Sequence, residues 1–358
     1  MKEIQKNKIL EVNELKTYYI SGNNLVKAVD GVSFDLGINE KVGFVGESGS
    51  GKTQTMLSIM GINAGVPGII DGTVKIEGRN YLKELNKYCI VDRNNGSISI
   101  RKDIYKWNHI HEKAMRKVRG STISMIFQEP KSSLSPFFTV ERQLYDIYRK
   151  RYESHDRVRF LEMINPIFNR LQFKKVNDIL KKYPHQLSGG ESQRIMLAMA
   201  LLSKSKILIA DEPTTALDAI VRYKIIELFK EIIINESMSV IYVTHNLNIL
   251  QELVDKVIVM YGGKVVEIGA ADNLMMKNND SLHPYTQFLK SFLSVKKGTL
   301  QINKSPNYIN RSAGCSYYER CHIKDGLSAT LRRKCRLYEP PLVRIDSDHY
   351  MKCWAKGV

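Results

Sequence analysis

Long hydrophobic runs are what this sequence most plainly lacks. A membrane-spanning helix needs about 20 consecutive apolar residues. The clearest apolar runs, residues 207–210 (Ile-Leu-Ile-Ala) and 240–243 (Val-Ile-Tyr-Val), are only strand-length. A spanning helix is therefore excluded. The first six residues (Met-Lys-Glu-Ile-Gln-Lys) lack the apolar stretch of a signal peptide, which points to the cytoplasm. Cysteine is scarce: five in 358 residues, an odd number that argues against a disulfide framework. Acidic residues are in deficit, 37 against 54 Lys and Arg, giving a net charge of +17. A disordered chain is excluded in turn, because 43% apolar and 25% charged residues are globular proportions. The length suits one large domain or two smaller ones.

The positive charge is concentrated. Residues 296–358 hold 13 Lys and Arg against 5 Asp and Glu, and residues 101–119 hold 7 against 2. The rest is close to neutral. A basic surface fits an anionic membrane or nucleic acid, and a lysine-rich proteome gives the same total.

From about residue 10 to 269 strand-like and helix-like stretches alternate. Residues 41–45, 207–210 and 240–244 read as buried, parallel strands, and residues 192–202 and 221–234 as helices. The expectation is an α/β layered domain. Residues 130–195 read as a helical insertion. Within residues 80–115, Asn94-Asn-Gly96 between two apolar triplets signals a hairpin. From residue 296 the pattern fades and cysteines concentrate.

Residues 46–53, Gly-Glu-Ser-Gly-Ser-Gly-Lys-Thr, fit the phosphate-loop pattern G-x-x-x-x-G-K-[ST], between a strand and a helix. Glycines let successive N–H groups turn toward a phosphate, and the helix N-terminus adds partial positive charge. Lys52 is placed to reach the β- and γ-phosphates and Thr53 to ligate Mg²⁺. Asp211 and Glu212 end an apolar strand. Asp211 suits a metal-bound water and Glu212 polarisation of an attacking water; an acidic pair capping the next helix would be the likelier reading in isolation, but not after a phosphate loop.

Residues 187–194 (Leu-Ser-Gly-Gly-Glu-Ser-Gln-Arg) resemble the LSGGQ signature of ATP-binding cassette (ABC) proteins, with Glu191 where Gln is usual. Gln128 resembles the Q-loop glutamine, Ala216-Leu217-Asp218 the D-loop and His245 the switch histidine, all in the family's order. The phosphate loop through Gln54-Thr55, residues 123–128, residues 183–188 and His283-Pro-Tyr285-Thr286 are further similar to the oligopeptide/dipeptide (and nickel) importer ATPases, D-type subunit.

That resemblance implies an ABC-type nucleotide-binding fold: a P-loop RecA-like core, an antiparallel β subdomain and a helical subdomain. The cassette would occupy residues 1–270. Residues 271–358 would form an oligopeptide-transporter-type C-terminal region with a small cysteine module, and residues 80–115 a lengthened insertion. It implies ATP-driven head-to-tail pairing with a second, homologous ATPase, two membrane permease subunits, an extracytoplasmic binding protein, and a place on the cytoplasmic face of the membrane. Nucleic acid is not implied, because the chain has one signature and no long heptad region. Peptide is the implied cargo, with nickel or another solute as the alternative. Lys52, Glu212 and His245 would be catalytic. Residues 46–54 (Gly46, Glu47, Ser48, Gly49, Ser50, Gly51, Lys52, Thr53, Gln54), Gln128, Asp211, Ser188, Gly189, Gly190, Glu191 and Asp218 would bind nucleotide. Thr53 and Gln128 would ligate Mg²⁺. Tyr19 would stack on adenine, with Tyr18 as the competing choice.

Cys315, Cys321, Cys335 and Cys353 follow C-x5-C-x13-C-x17-C. Without C-x₂₋₄-C knuckles zinc is disfavoured, whereas four cysteines are compatible with a [4Fe–4S] cluster. Some members of the resembled group carry such a cluster in this region, although the gap of 13 is longer than their pattern. The expectation is an iron–sulfur cluster with a structural role; zinc and no metal stay open. Cys89 reads as a lone thiol.

Overall fold

The computed structural model describes residues 7–94, 97–214, 217–277, 279–294 and 313–356. The chain divides into two compact units, residues 1–115 with 243–358, and residues 116–242. Residues 1–6, 95–96 (the expected hairpin turn), 215–216 (with Ala216 of the D-loop segment), 278, 295–312 and 357–358 lie outside the described residues.

The first unit opens with an antiparallel sheet in the order Asn24–Gly37, Lys8–Ser21, Pro67–Ile76, Arg79–Asn80. Leu10, Val12 and Leu15 are buried on one strand, as are Val32, Phe34 and Leu36 on its neighbour, and Val12 faces Phe34 across the ladder. Burial of such apolar rows drives sheet formation at about 25 cal/mol per Å². In the same unit Lys41–Val45 runs parallel to Lys256–Tyr261, with Phe44 opposite Ile258. Both strands are almost wholly apolar and buried, the pattern of a strand covered on both faces. Lys264–Ala270, His349–Met351 and Val343–Asp346 follow outward in that order. The last part of the chain is thus stitched into this sheet, with Glu267 opposite Met351.

Cys89–Asn94 pairs antiparallel with Ser97–Lys102, and the helix Ile104–Met115 follows, burying Trp107, His111 and Met115. Lys102 ties this hairpin to the first sheet. Its ammonium donates to the carbonyls of Pro67 (2.8 Å) and Ile69 (2.6 Å).

The second unit holds the parallel strands Ile123–Ile126 and Ile207–Asp211, with Ile123 opposite Ile207. Its helices include Val140–Tyr152, Arg157–Arg170, Gly189–Ser203 and Ala219–Asn235. Val140, Leu144 and Tyr148 are spaced by four on one helix, and Phe160, Ile164 and Phe168 on the next; all six are fully buried. Spacing by four places each trio on one helix face, so two stripes supply the core. Thr139 and Asp156 cap these helices by accepting backbone N–H groups. Among the described residues no helix is long and apolar enough to cross a membrane.

Candidate active site

The phosphate loop is first a backbone device. Lys41–Val45 ends at the loop, and the helix Lys52–Met60 begins where the loop stops. Gly51 caps that helix at φ 104°, and a Cβ there would stand 2.5 Å from the Ala28 carbonyl oxygen. Only glycine fits such a backbone without strain. A Cβ on Gly46 would stand 2.2 Å from the Met260 carbonyl oxygen. Lys52 is 4% exposed, and its ammonium donates to the carbonyls of Gly46 (2.7 Å) and Glu47 (3.0 Å). Phosphate oxygens are stronger, charged acceptors for such an ammonium. The loop therefore fits a nucleotide phosphate on its own chemistry.

Two neighbours of the loop differ in exposure. Tyr18 is 2% exposed and donates its hydroxyl to Asp30 at 2.5 Å, so its ring belongs to the core. Tyr19 is half-buried; its hydroxyl bonds to the Gln54 side chain and accepts from the Asn63 amide at 3.1 Å. Burial pushes the Tyr19 phenol up. Of the two, only Tyr19 is not fully buried, and stacking on a base needs an accessible ring. His245 is exposed just past the strand Ser239–Thr244, where Asn246 caps the helix Leu247–Leu253 by accepting the Asn248 N–H at 3.0 Å.

In the second unit Asp211 ends its strand at 1% exposure. Glu212 follows at φ 44°. A left-handed backbone at a non-glycine residue costs of order 1–3 kcal/mol and persists where the surroundings fix it. The Gln128 amide nitrogen lies 3.5 Å from Glu212 Oε2, so the structure brings these two together.

The signature residues start the helix Gly189–Ser203. Ser188 is its N-cap: the hydroxyl accepts the Glu191 N–H (3.2 Å), and the Glu191 carboxylate accepts the Ser188 N–H (2.7 Å). This reciprocal capping box accounts for glutamate where the family usually has glutamine, since either can close it. Lys182 pairs with the same carboxylate at 3.0 Å. Burial works to raise the Glu191 carboxyl, but the Ser188 and Lys182 contacts outweigh it and hold it below its ordinary value. A Cβ on Gly190 would meet Val221 of the following helix at 2.9 Å. Asp218 is that helix's N-cap, accepting from Ile220 (3.1 Å) and Val221 (3.0 Å).

The segment His283-Pro-Tyr285 also acquires a structural account. The His283 ring accepts the Tyr285 N–H (3.0 Å) at the start of the helix Pro284–Ser294, where proline needs no N–H partner. Burial pushes the fully enclosed His283 ring down to about 4, which keeps that nitrogen an acceptor. The His283 N–H in turn donates to Glu267 at 3.0 Å.

One set of contacts carries no signal in the sequence. The Arg320 guanidinium meets the Glu47 carboxylate of the phosphate loop at 2.6 and 2.9 Å, and the Glu47 N–H donates to the Tyr285 hydroxyl at 2.7 Å.

The iron–sulfur expectation is overturned, and metal binding by the cysteine module with it. Among the described residues, which include all four cysteines, no group of three or more His, Cys, Asp or Glu side chains is arranged to hold a metal ion. The cysteines pack. Cys335 and Cys353 are buried, on the helix Ala329–Leu337 and beyond the last strand, and the Cys315 N–H donates to the Cys335 carbonyl at 2.9 Å. Burial pushes the Cys315 thiol up to about 12 and raises Cys321, Cys335 and Cys353 as well. Neutral thiols of this kind behave as small hydrophobes.

Residues 29–215 match the ABC transporter family, and residues 266–326 match the oligopeptide/dipeptide transporter C-terminal region. The oligopeptide transport ATP-binding protein AppD of Bacillus subtilis is 36% identical, over 97% of this chain and 96% of its own length. The dipeptide transport ATP-binding protein DppD of the same organism is 35% identical, over 97% and 94%. Among solved structures, the ATP-binding cassette MJ0796, in a dimeric post-hydrolysis state bound to ADP and Pi, superposes with a TM-score of 0.58. It is 22% identical over 73% of this chain and 98% of that one, a likeness of fold. On this footing the chain belongs to the ABC transporter ATPases, in the group that carries the oligopeptide/dipeptide transporter C-terminal region.

Proposed function

We propose that this ATPase energises peptide import through a membrane ABC transporter. The observation that carries the reading is the likeness to oligopeptide and dipeptide transport ATP-binding proteins over 97% of the chain, C-terminal region included. In this reading Lys52 and the phosphate-loop N–H groups bind the β- and γ-phosphates. Glu212 takes a proton from the attacking water, and His245 orients the γ-phosphate. Tyr19 stacks on the adenine. Thr53, Gln128 and Asp211 offer hydroxyl, amide and carboxylate oxygens, the hard donors that Mg²⁺ favours. Bound there, Mg²⁺ would neutralise phosphate charge.

The capped start of the helix Gly189–Ser203 supports a second role. Its dipole and N–H groups suit an anion, so residues 188–191 would bind the γ-phosphate held by a partner cassette. The chain then works as one half of a pair, with Asp218 at the junction. The partners are a second ATPase subunit, two permeases and an extracytoplasmic binding protein, and the chain sits peripherally at the cytoplasmic face. Co-purification of the membrane subunits and binding protein, followed by reconstitution into vesicles, tests the reading. ATP-dependent uptake of labelled di- to pentapeptides supports it. Uptake of nickel with no peptide uptake, or salt-sensitive stimulation of hydrolysis by DNA or RNA, contradicts it.

A further inference from the structure

Glu47, the second residue of the phosphate loop, is held from the far end of the chain. Arg320 gives its carboxylate two parallel hydrogen bonds, Nη1 to Oε2 at 2.6 Å and Nη2 to Oε1 at 2.9 Å. The arginine side chain is itself only 11% exposed. It lies 5.7 Å from the ring centre of Tyr261 and 5.2 Å from that of Phe288, which restrict where the fork can point. The Tyr285 hydroxyl accepts the Glu47 N–H at 2.7 Å, and the Tyr285 ring packs edge-on against Tyr261. The carboxylate and the N–H of Glu47 are thereby engaged by residues 273 and 238 positions later in the chain.

A nucleoside triphosphate is a multiply charged anion. A bare carboxylate within the loop that receives it opposes binding, and a guanidinium fork neutralises that charge while fixing its direction. We propose that Arg320 and Tyr285 are positioning residues of the nucleotide site, which neutralise and hold Glu47 so that the phosphate loop presents N–H groups and Lys52, and not a free carboxylate, to ATP. The C-terminal region is thus part of the nucleotide-binding apparatus. Arg320 directly precedes Cys321, so the packed cysteine module is what carries the fork to the loop. The proposal deepens the ATPase reading and rests on it.

The test is equilibrium binding of a fluorescent ATP analogue to the full chain, together with steady-state hydrolysis. Arg320→Gln raises both Kd and KM about five- to tenfold, the size expected of one unneutralised charge a few Å from the phosphates at high effective dielectric, with kcat changed less than about twofold. The deficit shrinks as salt rises to about 0.5 M, because added ions screen the exposed carboxylate. Arg320→Lys restores only part of the affinity, since a point charge lacks the fork. Combining Glu47→Gln with Arg320→Gln recovers most of the lost affinity, because the charge that needed neutralising is gone. A merely structural contact gives the opposite result, a double variant at least as impaired as the single. Tyr285→Phe, which keeps the ring, raises Kd about two- to threefold through the lost hydrogen bond and carries the test if Arg320→Gln does not fold. Unchanged Kd in Arg320→Gln, or a double variant no better than the single, overturns the proposal while leaving the ATPase reading intact. A parent chain that binds no nucleotide overturns both.

Discussion

The phosphate loop and the cysteine tail make a useful contrast. Both drew attention by residue type and spacing; the structure overturns the metal chemistry expected of the tail, while the loop's backbone geometry matches its pattern. The loop is contiguous: its eight residues lie between a strand and a helix, and φ 104° at Gly51 together with the close approach at Gly46 are local demands that only this residue pattern meets. The cysteines are spread over C-x5-C-x13-C-x17-C, and their mutual placement depends on a helix, two short strands and the sheet edge they join. A motif whose geometry is set within one turn of chain can be read from sequence. A ligand set assembled by tertiary packing cannot, and here the packing buries neutral thiols.

The largest expected effect lies on the loop side. Lys52→Ala removes a 4%-exposed ammonium whose partners would become phosphate oxygens. ATP binding by fluorescence titration should weaken by about 100-fold, the scale of a lost charge-assisted contact in a desolvated site. Retained affinity would remove the loop from the site and erase the contrast.

A middle-sized effect is expected at the signature helix. Glu191→Ala opens the capping box and should cost about 1 kcal/mol, seen as a lower midpoint in chemical or thermal unfolding, whereas Glu191→Gln should cost less because it can still close the box. The sign with pH follows from the depressed carboxyl. Its contribution is present above the unfolded-state carboxyl value of about 4.3 and is lost as pH falls through the lower folded value. The gap between parent and Glu191→Ala should therefore close in acid. A pH-independent gap would mean that the charged form plays no part.

The smallest effect belongs to the tail. Treating the purified chain with a strong iron or zinc chelator should leave its melting point and absorbance spectrum unchanged, and anaerobically prepared protein should contain no stoichiometric iron. Cys335→Ala, which deletes a buried thiol, should lower the unfolding midpoint by less than Glu191→Ala does, through lost packing alone. Loss of a visible chromophore on chelation would restore the cluster and dissolve the contrast.

The fold class was legible because its determinants are local. The apolar runs at residues 207–210 and 240–244 and the apolar faces repeating every four residues announce strands and helices directly. Gln128, Glu212, the Ser188 cap and Asp218 each stand at an element's end, which is where sequence order alone can place a residue. The Glu47–Arg320 pair was invisible, because 273 residues separate its members and no local pattern ties one to the other. The return of residues 349–351 to the sheet beside Lys264–Ala270 was equally hidden: three residues carry too little periodicity to signal a strand. Glutamate at position 191 reads as a departure in sequence and as a fitting cap in structure.

The most direct test of the central claim is ATP turnover by the Glu212→Gln variant beside the parent, in the assembled transporter with Mg²⁺. The account predicts that the variant still binds ATP and loses hydrolysis by at least about 100-fold, the contribution of a positioned general base. Hydrolysis at the parental rate would contradict it.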